Sequence, residues 1–249
     1  MFWFLHLLAS MKNILIIFNE GMRSPQFALP LQKRCLVMDF SKIKNIIFDF
    51  GGVLVDLNKA RCLEAFAQLG FTQAADMIDA YSQQGVFGQL EDGTISSAEF
   101  CTEVRRITGC SVSDEELLHA WNLFLVGIPT WKLEALIELR KHYPIYLLSN
   151  TNESHWFHAV QHFFPYKQWC VDDYFDRIFL SYELNQVKPG SDIFRTVIAQ
   201  TGVNPEETLF IDDAVANCAT ARSLGLHTYQ PHPSEDWRKL FGKIFIEEV

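Results

Sequence analysis

The chain lacks the signatures of several protein classes. Positive charge is in deficit: across 249 residues, 21 Lys and Arg stand against 30 Asp and Glu, a formal charge of −9. A nucleic-acid partner calls for a basic face, so none is expected. No run of like charges marks a binding tail. The six cysteines, at 35, 62, 101, 110, 170 and 218, form no C-x-x-C pair, and none stands at zinc-finger spacing from a histidine. They read as reduced thiols of a cytoplasmic protein, several of them buried. A membrane span needs about 18 consecutive apolar residues; Met1 to Phe18 is broken at Lys12-Asn13. That stretch also lacks the basic start and small-residue cleavage site of a signal peptide. Residues 19–37, with Gly21, Pro25 and Pro30, show no period. Synthesis is expected to begin at Met38, with residues 1–37 an extension outside the native fold; an interfacial anchor is the alternative. Repeats and low-complexity segments are absent too. With 49% apolar and 20% charged residues, the remainder reads as an ordinary globular protein.

What is present is organised around Asn45-Ile46-Ile47-Phe48-Asp49-Phe50-Gly51-Gly52-Val53-Leu54-Val55-Asp56. The first apolar run is continuous, not alternating, as a buried parallel strand should be. It ends in Asp49, where the strand leaves the sheet and where open α/β sheets bind ligands. The glycines that follow let backbone N–H groups approach an anion.

From residue 58 to 126 the pattern is helical. Asn58 to Leu69 and Gln73 to Ser82 read as helices, and capping boxes at Ser96–Glu99 and Ser113–Glu116 open two more. Between them, Gln84 to Thr94 carries three glycines and an Asp-Gly pair and reads as a loop. From Thr130 helices and strands alternate. Strands are expected at Pro144–Asn150, Arg177–Leu180, Thr208–Asp213 and His227–Tyr229, with helices between. The fold class is therefore α/β: a doubly wound, Rossmann-like parallel sheet over residues 38–57 and 127–249, with a small helical cap at 58–126 inserted after the first strand.

Four strands or their following loops end in reactive groups: Asp49, Ser149-Asn150, Lys188 and Asp212-Asp213. Parallel strands bring these to one edge of the sheet. Lys188 alone would pass for a solvated lysine, and Asp212-Asp213 for acids at a helix N-terminus; together they form a constellation. Three carboxylates cannot all ionise there without a cation, and hard oxygen donors suit Mg²⁺. A lysine, a hydroxyl and an amide beside them suit a phosphoryl group.

The motifs IIFDFGGVLVD, IYLLSNTN, the lysine of QVKPGSDIF, and LFIDDAVAN resemble, in order and spacing, the haloacid dehalogenase superfamily of hydrolases. Together with LEDGTIS in the cap, they are most similar to a phosphatase branch that includes a bacterial glucose-1-phosphate phosphatase. The resemblance implies a Mg²⁺-dependent phosphatase acting on a small phosphorylated metabolite such as a sugar phosphate. It implies Asp49 as nucleophile, forming an aspartyl-phosphate. Asp49, the Gly51 carbonyl and Asp213 would be metal ligands, with Asp212 acting through a water or sharing the metal. Ser149 and Asn150 would bind phosphoryl oxygens, and Lys188 would neutralise charge. Asn217, one turn after Asp213, would support them. Many relatives carry a second Asp two positions after the nucleophile as general acid and base; here that position is Gly51, and Asp56 or a metal-ordered water is the candidate substitute. In the Gln84–Thr94 segment, Gly85 and Gly88 are expected hinges, and Phe87 or Glu91 the substrate contact. His155, His158 and His162, at helical spacing, are expected to form a partly exposed polar face. Two alternatives stay open: a silent relative that binds a phosphorylated ligand, and carbon–halogen hydrolysis by the same Asp49. The sequence does not indicate an oligomeric state.

Overall fold

In a computed structural model of the protein, residues 40–79, 83–232 and 235–245 are described. The expectation for residues 1–37 lies outside them. The chain leaves β1 (Asn45–Phe48) for β2 (Asp56–Leu57) and enters five helices. These are α1 (Lys59–Gln68), α2 (Ala74–Met77), α3 (Gly85–Glu91), α4 (Ser97–Thr108) and α5 (Asp114–Asn122). It returns on β3 (Leu125–Gly127), which pairs antiparallel with β2. Next come α6 (Thr130–Arg140), β4 (Ile145–Ser149), α7 (Glu153–His162), α8 (Val171–Tyr174) and β5 (Arg177–Leu180). The last elements are α9 (Ser181–Leu184), α10 (Ser191–Thr201), β6 (Thr208–Ile211), α11 (Val215–Ser223), β7 (His227–Tyr229) and α12 (Gly242–Phe245).

Five strands form one parallel sheet in the order β5-β4-β1-β6-β7. The chain steps outward from β1 to one side through β4 and β5, then to the other through β6 and β7. The strand order thus reverses at β1, and a ligand crevice belongs at its carboxyl end. The continuous apolar runs are explained by burial on both faces: Ile46, Ile47 and Phe48 of β1, and all four residues of β6, are buried. Ile47, Leu148, Phe179 and Phe210 pack with Ile193, Phe194 and Val197 of α10 and Ala221 of α11. Elsewhere Phe48 meets Trp237, with ring centroids 5.0 Å apart. Each such side chain contributes roughly 2–3 kcal/mol by leaving water.

Between β2 and β3 the five helices have an aromatic centre of their own. Phe87 is fully buried among Phe66, Phe71, Phe100 and Trp121, at centroid distances of 4.8 to 5.8 Å. Both capping boxes are formed, Ser96 with Glu99 and Ser113 with Glu116. Two expectations need correction. The segment Gln84–Thr94 is not a loop, because residues 85–91 make α3. Val86, Phe87 and Leu90 bury one face of that helix, which outweighs the low propensity of its glycines. The helix expected over Gln73–Ser82 is only four residues long within the described residues, and Ser82 lies outside them.

Candidate active site

Asp49 is the residue after β1, and sheet pairing reaches it: its N–H donates to Ile211 O at 2.8 Å. The chain then turns sharply, with Val55 N donating to Phe50 O and Gly52 N to Val55 O, which leaves Gly51 on the wall of a cavity. No described donor pairs with the Gly51 carbonyl, whereas the neighbouring Phe50 carbonyl accepts two N–H groups. The cavity, of about 70 Å³, is also lined by Asp49, Glu91, Asn150, Thr151, Lys188 and Asp213.

Lys188 reaches the site from the loop before α10. Its Nζ, almost wholly buried, donates to Asp49 Oδ1 at 2.7 Å, Asp212 Oδ2 at 2.8 Å and Leu148 O at 3.0 Å. All three ammonium donors are thereby used. Burial opposes that charge, but Asp212 and Asp49 outweigh it and hold the ammonium above its ordinary range. Asn150 fixes the Lys188 backbone from both sides: its Oδ1 accepts from Lys188 N and its Nδ2 donates to Lys188 O, each at 2.8 Å.

Asp212, fully buried, is saturated by other partners. Besides Lys188, it accepts from Ala214 N at 2.8 Å and, on both oxygens, from Asn217 Nδ2 at 3.1 and 3.0 Å. Asp213 is half-buried and turned to the cavity. One oxygen from each of Asp49, Asp212 and Asp213 falls within 4.8 Å of the others. Burial, reinforced by Asp212 and Asp213 and opposed by Lys188, pushes Asp49 up to about 8. Burial and then Asp212 push Asp213 up to about 6, again against Lys188. Three carboxylates against one ammonium leave two negative charges unmatched when all are ionised, which is the charge of a divalent cation. The donor set is all oxygen, so the residues present fit Mg²⁺.

The structure brings Asp49, Gly51, Asn150, Lys188, Asp212, Asp213 and Asn217 together. Ser149 stands beside them at the end of β4, but its Oγ turns to Asn150 O at 3.3 Å and is off the cavity wall; Thr151 is on it. Asp56 is exposed and accepts from Lys132 Nζ at 3.0 Å, away from the cavity. Phe87 sits inside the helical centre and touches no ligand space. At Gly88 a Cβ would lie 2.8 Å from Gln83 O, so glycine there permits close backbone approach.

Of the three histidines only His155 departs from expectation; His158 is half-buried and His162 exposed. His155 is buried on the cavity wall, stacked on Trp121 at 4.3 Å, and its Nε2 lies 3.1 Å from Trp121 O. A carbonyl only accepts, so that nitrogen carries the proton. Burial drops its pKa to about 3, leaving the ring neutral. The His158 and His162 rings lie against each other at a tilt, with centroids 4.7 Å apart. Trp121 and Phe124, which line the cavity with His155, had no signal in the sequence: their partner lies 31 or more residues further along.

Comparison with known proteins identifies the family. The family model for haloacid dehalogenase-like hydrolases matches residues 43–225. A D-ribitol-5-phosphate phosphatase of Bacteroides thetaiotaomicron is 40% identical over 197 residues, spanning 79% of this chain and 96% of that protein. The crystal structure of a wild-type enzyme of that family from the same organism, in complex with magnesium and inorganic phosphate, is 45% identical. It covers 80% of this chain and 99% of its own, with a TM-score of 0.76. A predicted hydrolase of this kind from Porphyromonas gingivalis is 38% identical over 83% of this chain and all of its own, also at 0.76. No helix among the described residues is long and apolar enough to cross a membrane.

Proposed function

The chain belongs to the haloacid dehalogenase-like hydrolases, and on that premise we propose that it is a Mg²⁺-dependent phosphatase cleaving a small phosphorylated sugar or sugar alcohol through an aspartyl-phosphate on Asp49. The observation that carries the reading is the Asp49 carboxyl, held by Lys188 in a cavity shared with Asp213. The substrate class rests on the ribitol-phosphate phosphatase, whose length this chain matches almost completely.

Asp49, Asp213 and the Gly51 carbonyl would hold Mg²⁺, with Asp212 behind them. The ion supplies charge neutralisation, for the carboxylates and for the phosphoryl oxygens. The Asp49 carboxylate attacks phosphorus in line with the departing oxygen. Lys188 orients that carboxylate and compensates charge on the transferred group, as a point charge that an Arg would not reproduce. Asp212 acts through others, fixing Lys188 and, with Asn217, the loop that presents Asp213. Asn150 and Ser149 bind phosphoryl oxygens, the Ser149 hydroxyl by turning from its bond to Asn150 O. Glu91 faces the leaving portion of the substrate from the helical segment 58–126, which we propose covers the site as a cap on the core of residues 38–57 and 127–249. That cover excludes water and strengthens each of these interactions.

Phosphate release from ribitol 5-phosphate, glucose 1-phosphate and p-nitrophenyl phosphate, each with Mg²⁺ and with EDTA, tests the reading. Metal-dependent release from at least one is expected. Release unaffected by EDTA, or none from a wider panel of phosphomonoesters, would overturn it.

A further inference from the structure

We propose that Glu91 is the general acid and base of the reaction, donating a proton to the departing alkoxide oxygen and recovering one from the attacking water. The inference rests on the phosphatase reading above and adds to it the group that moves the proton. A sugar or polyol phosphate leaves as an alkoxide, which is too basic to depart without a proton.

The cavity wall carries five titratable side chains: Asp49, Glu91, His155, Lys188 and Asp213. Asp49 and Lys188 are bonded to each other, and the lysine has no donor left over. His155 has its one N–H on Trp121 O. Asp213 belongs to the three-carboxylate cluster. Gly51 has no side chain to offer. Glu91 remains, and its carboxyl makes no hydrogen bond to any other described residue. Burial lifts it to about 7, with Lys188 opposing and Asp92 adding to the rise. At that value it can hold a proton and release it near neutral pH.

The carboxyl is also held in place rather than carried on a mobile loop. Glu91 is the last residue of α3, and its own carbonyl accepts from Ser181 Oγ of α9 at 2.6 Å. One residue on, Asp92 O accepts from Asn185 Nδ2 at 3.1 Å. Gly93, at φ +75°, lies so close to Tyr182 that a Cβ would come within 2.1 Å of Tyr182 O. This turn is therefore pinned to the sheet-bearing part of the molecule, with Glu91 over the site.

In the first half-reaction the Asp49 oxygen forms a bond to phosphorus and the bond from phosphorus to the substrate oxygen breaks. That oxygen keeps the electron pair and takes the Glu91 proton, leaving as the alcohol. In the second, Glu91 as carboxylate takes a proton from water while the water oxygen bonds to phosphorus. The bond from phosphorus to Asp49 then breaks, restoring the Asp49 carboxylate, protonated Glu91 and free phosphate.

The test compares wild type with Glu91→Gln on two kinds of ester in Mg²⁺. One is p-nitrophenyl phosphate, whose phenolate leaves unprotonated. The other is the alkyl phosphate that the wild type cleaves fastest among ribitol 5-phosphate, glycerol 3-phosphate and glucose 6-phosphate. The loss in kcat/KM on the alkyl ester is expected to exceed the loss on the aryl ester by about 10²-fold. Equal losses on both, or none on either, would overturn the role, and aryl-ester turnover shows that the variant is folded. A wild type that cleaves neither kind fails at the phosphatase reading itself, an outcome distinct from equal losses.

Discussion

The Asp213 carboxylate fills the space that a side chain on Gly52 would need. A Cβ built at Gly52, where φ is +72°, would lie 2.2 Å from Asp213 Oδ2. The second glycine after Asp49 is thus explained by the acid that comes 161 positions later in the chain, from 52 to 213. Gly52→Ala is expected to displace Asp213 and strain the turn, costing about 1–3 kcal/mol. The Mg²⁺ concentration for half-maximal activity should rise at least about tenfold. Metal titration of activity, beside a thermal melt, checks both.

Lys188 is the only cation bonded to Asp49 among the described residues, and it bonds Asp212 as well. Lys188→Met leaves two buried carboxylates facing each other without it. Breaking a buried pair costs about 3–5 kcal/mol, so urea unfolding in EDTA should show a loss of that order. A loss below about 1 kcal/mol would mean that the pair is not held as described.

Metal binding and pH should be linked through Asp49, pushed up to about 8, and Asp213, pushed up to about 6. Both folded values lie above the ordinary carboxylate value, so keeping each group protonated favours the fold. That contribution is full below the ordinary value and is lost as pH rises through about 6 and then about 8. Mg²⁺ takes the place of the protons. Its stabilisation, about 2.7 kcal/mol at a hundredfold excess over Kd, should therefore grow between about pH 5 and pH 8. Thermal melts with Mg²⁺ and with EDTA across that range read this directly.

Ser181 ties Glu91 to the sheet-bearing part of the molecule. Its Oγ accepts from Thr151 N at 2.9 Å and lies 2.6 Å from Glu91 O and 2.9 Å from Thr151 O. Ser181→Ala leaves a buried N–H unpaired, for about 1–3 kcal/mol. It also loosens Glu91, so KM should rise together with a fall in kcat. Urea unfolding and steady-state kinetics measure the two effects.

The centre of the sheet was legible because β1, β4 and β6 are buried, largely apolar runs followed by polar residues, and the capping boxes because their chemistry is local. The same logic located Asp49 and Asp213, just beyond the ends of β1 and β6, and Lys188, in the β5–α10 connection beyond α9. Helix α3 was not legible, since Gly85 and Gly88 read as breakers until Phe87 finds its aromatic neighbours. His155 read as part of a partly exposed face for a similar reason: Trp121 and Phe124, which pack on it, come from another segment. The saturated state of Asp212 likewise depends on Lys188 and Asn217 meeting across the fold.

The most direct test of the account is an acid-quenched turnover with p-nitrophenyl phosphate and Mg²⁺, followed by mass analysis of the peptide containing Asp49. A phosphoryl group is expected on that peptide in the wild type, and neither phosphoryl group nor turnover in Asp49→Asn. Turnover that survives Asp49→Asn, or a phosphoryl group on another residue, would contradict it.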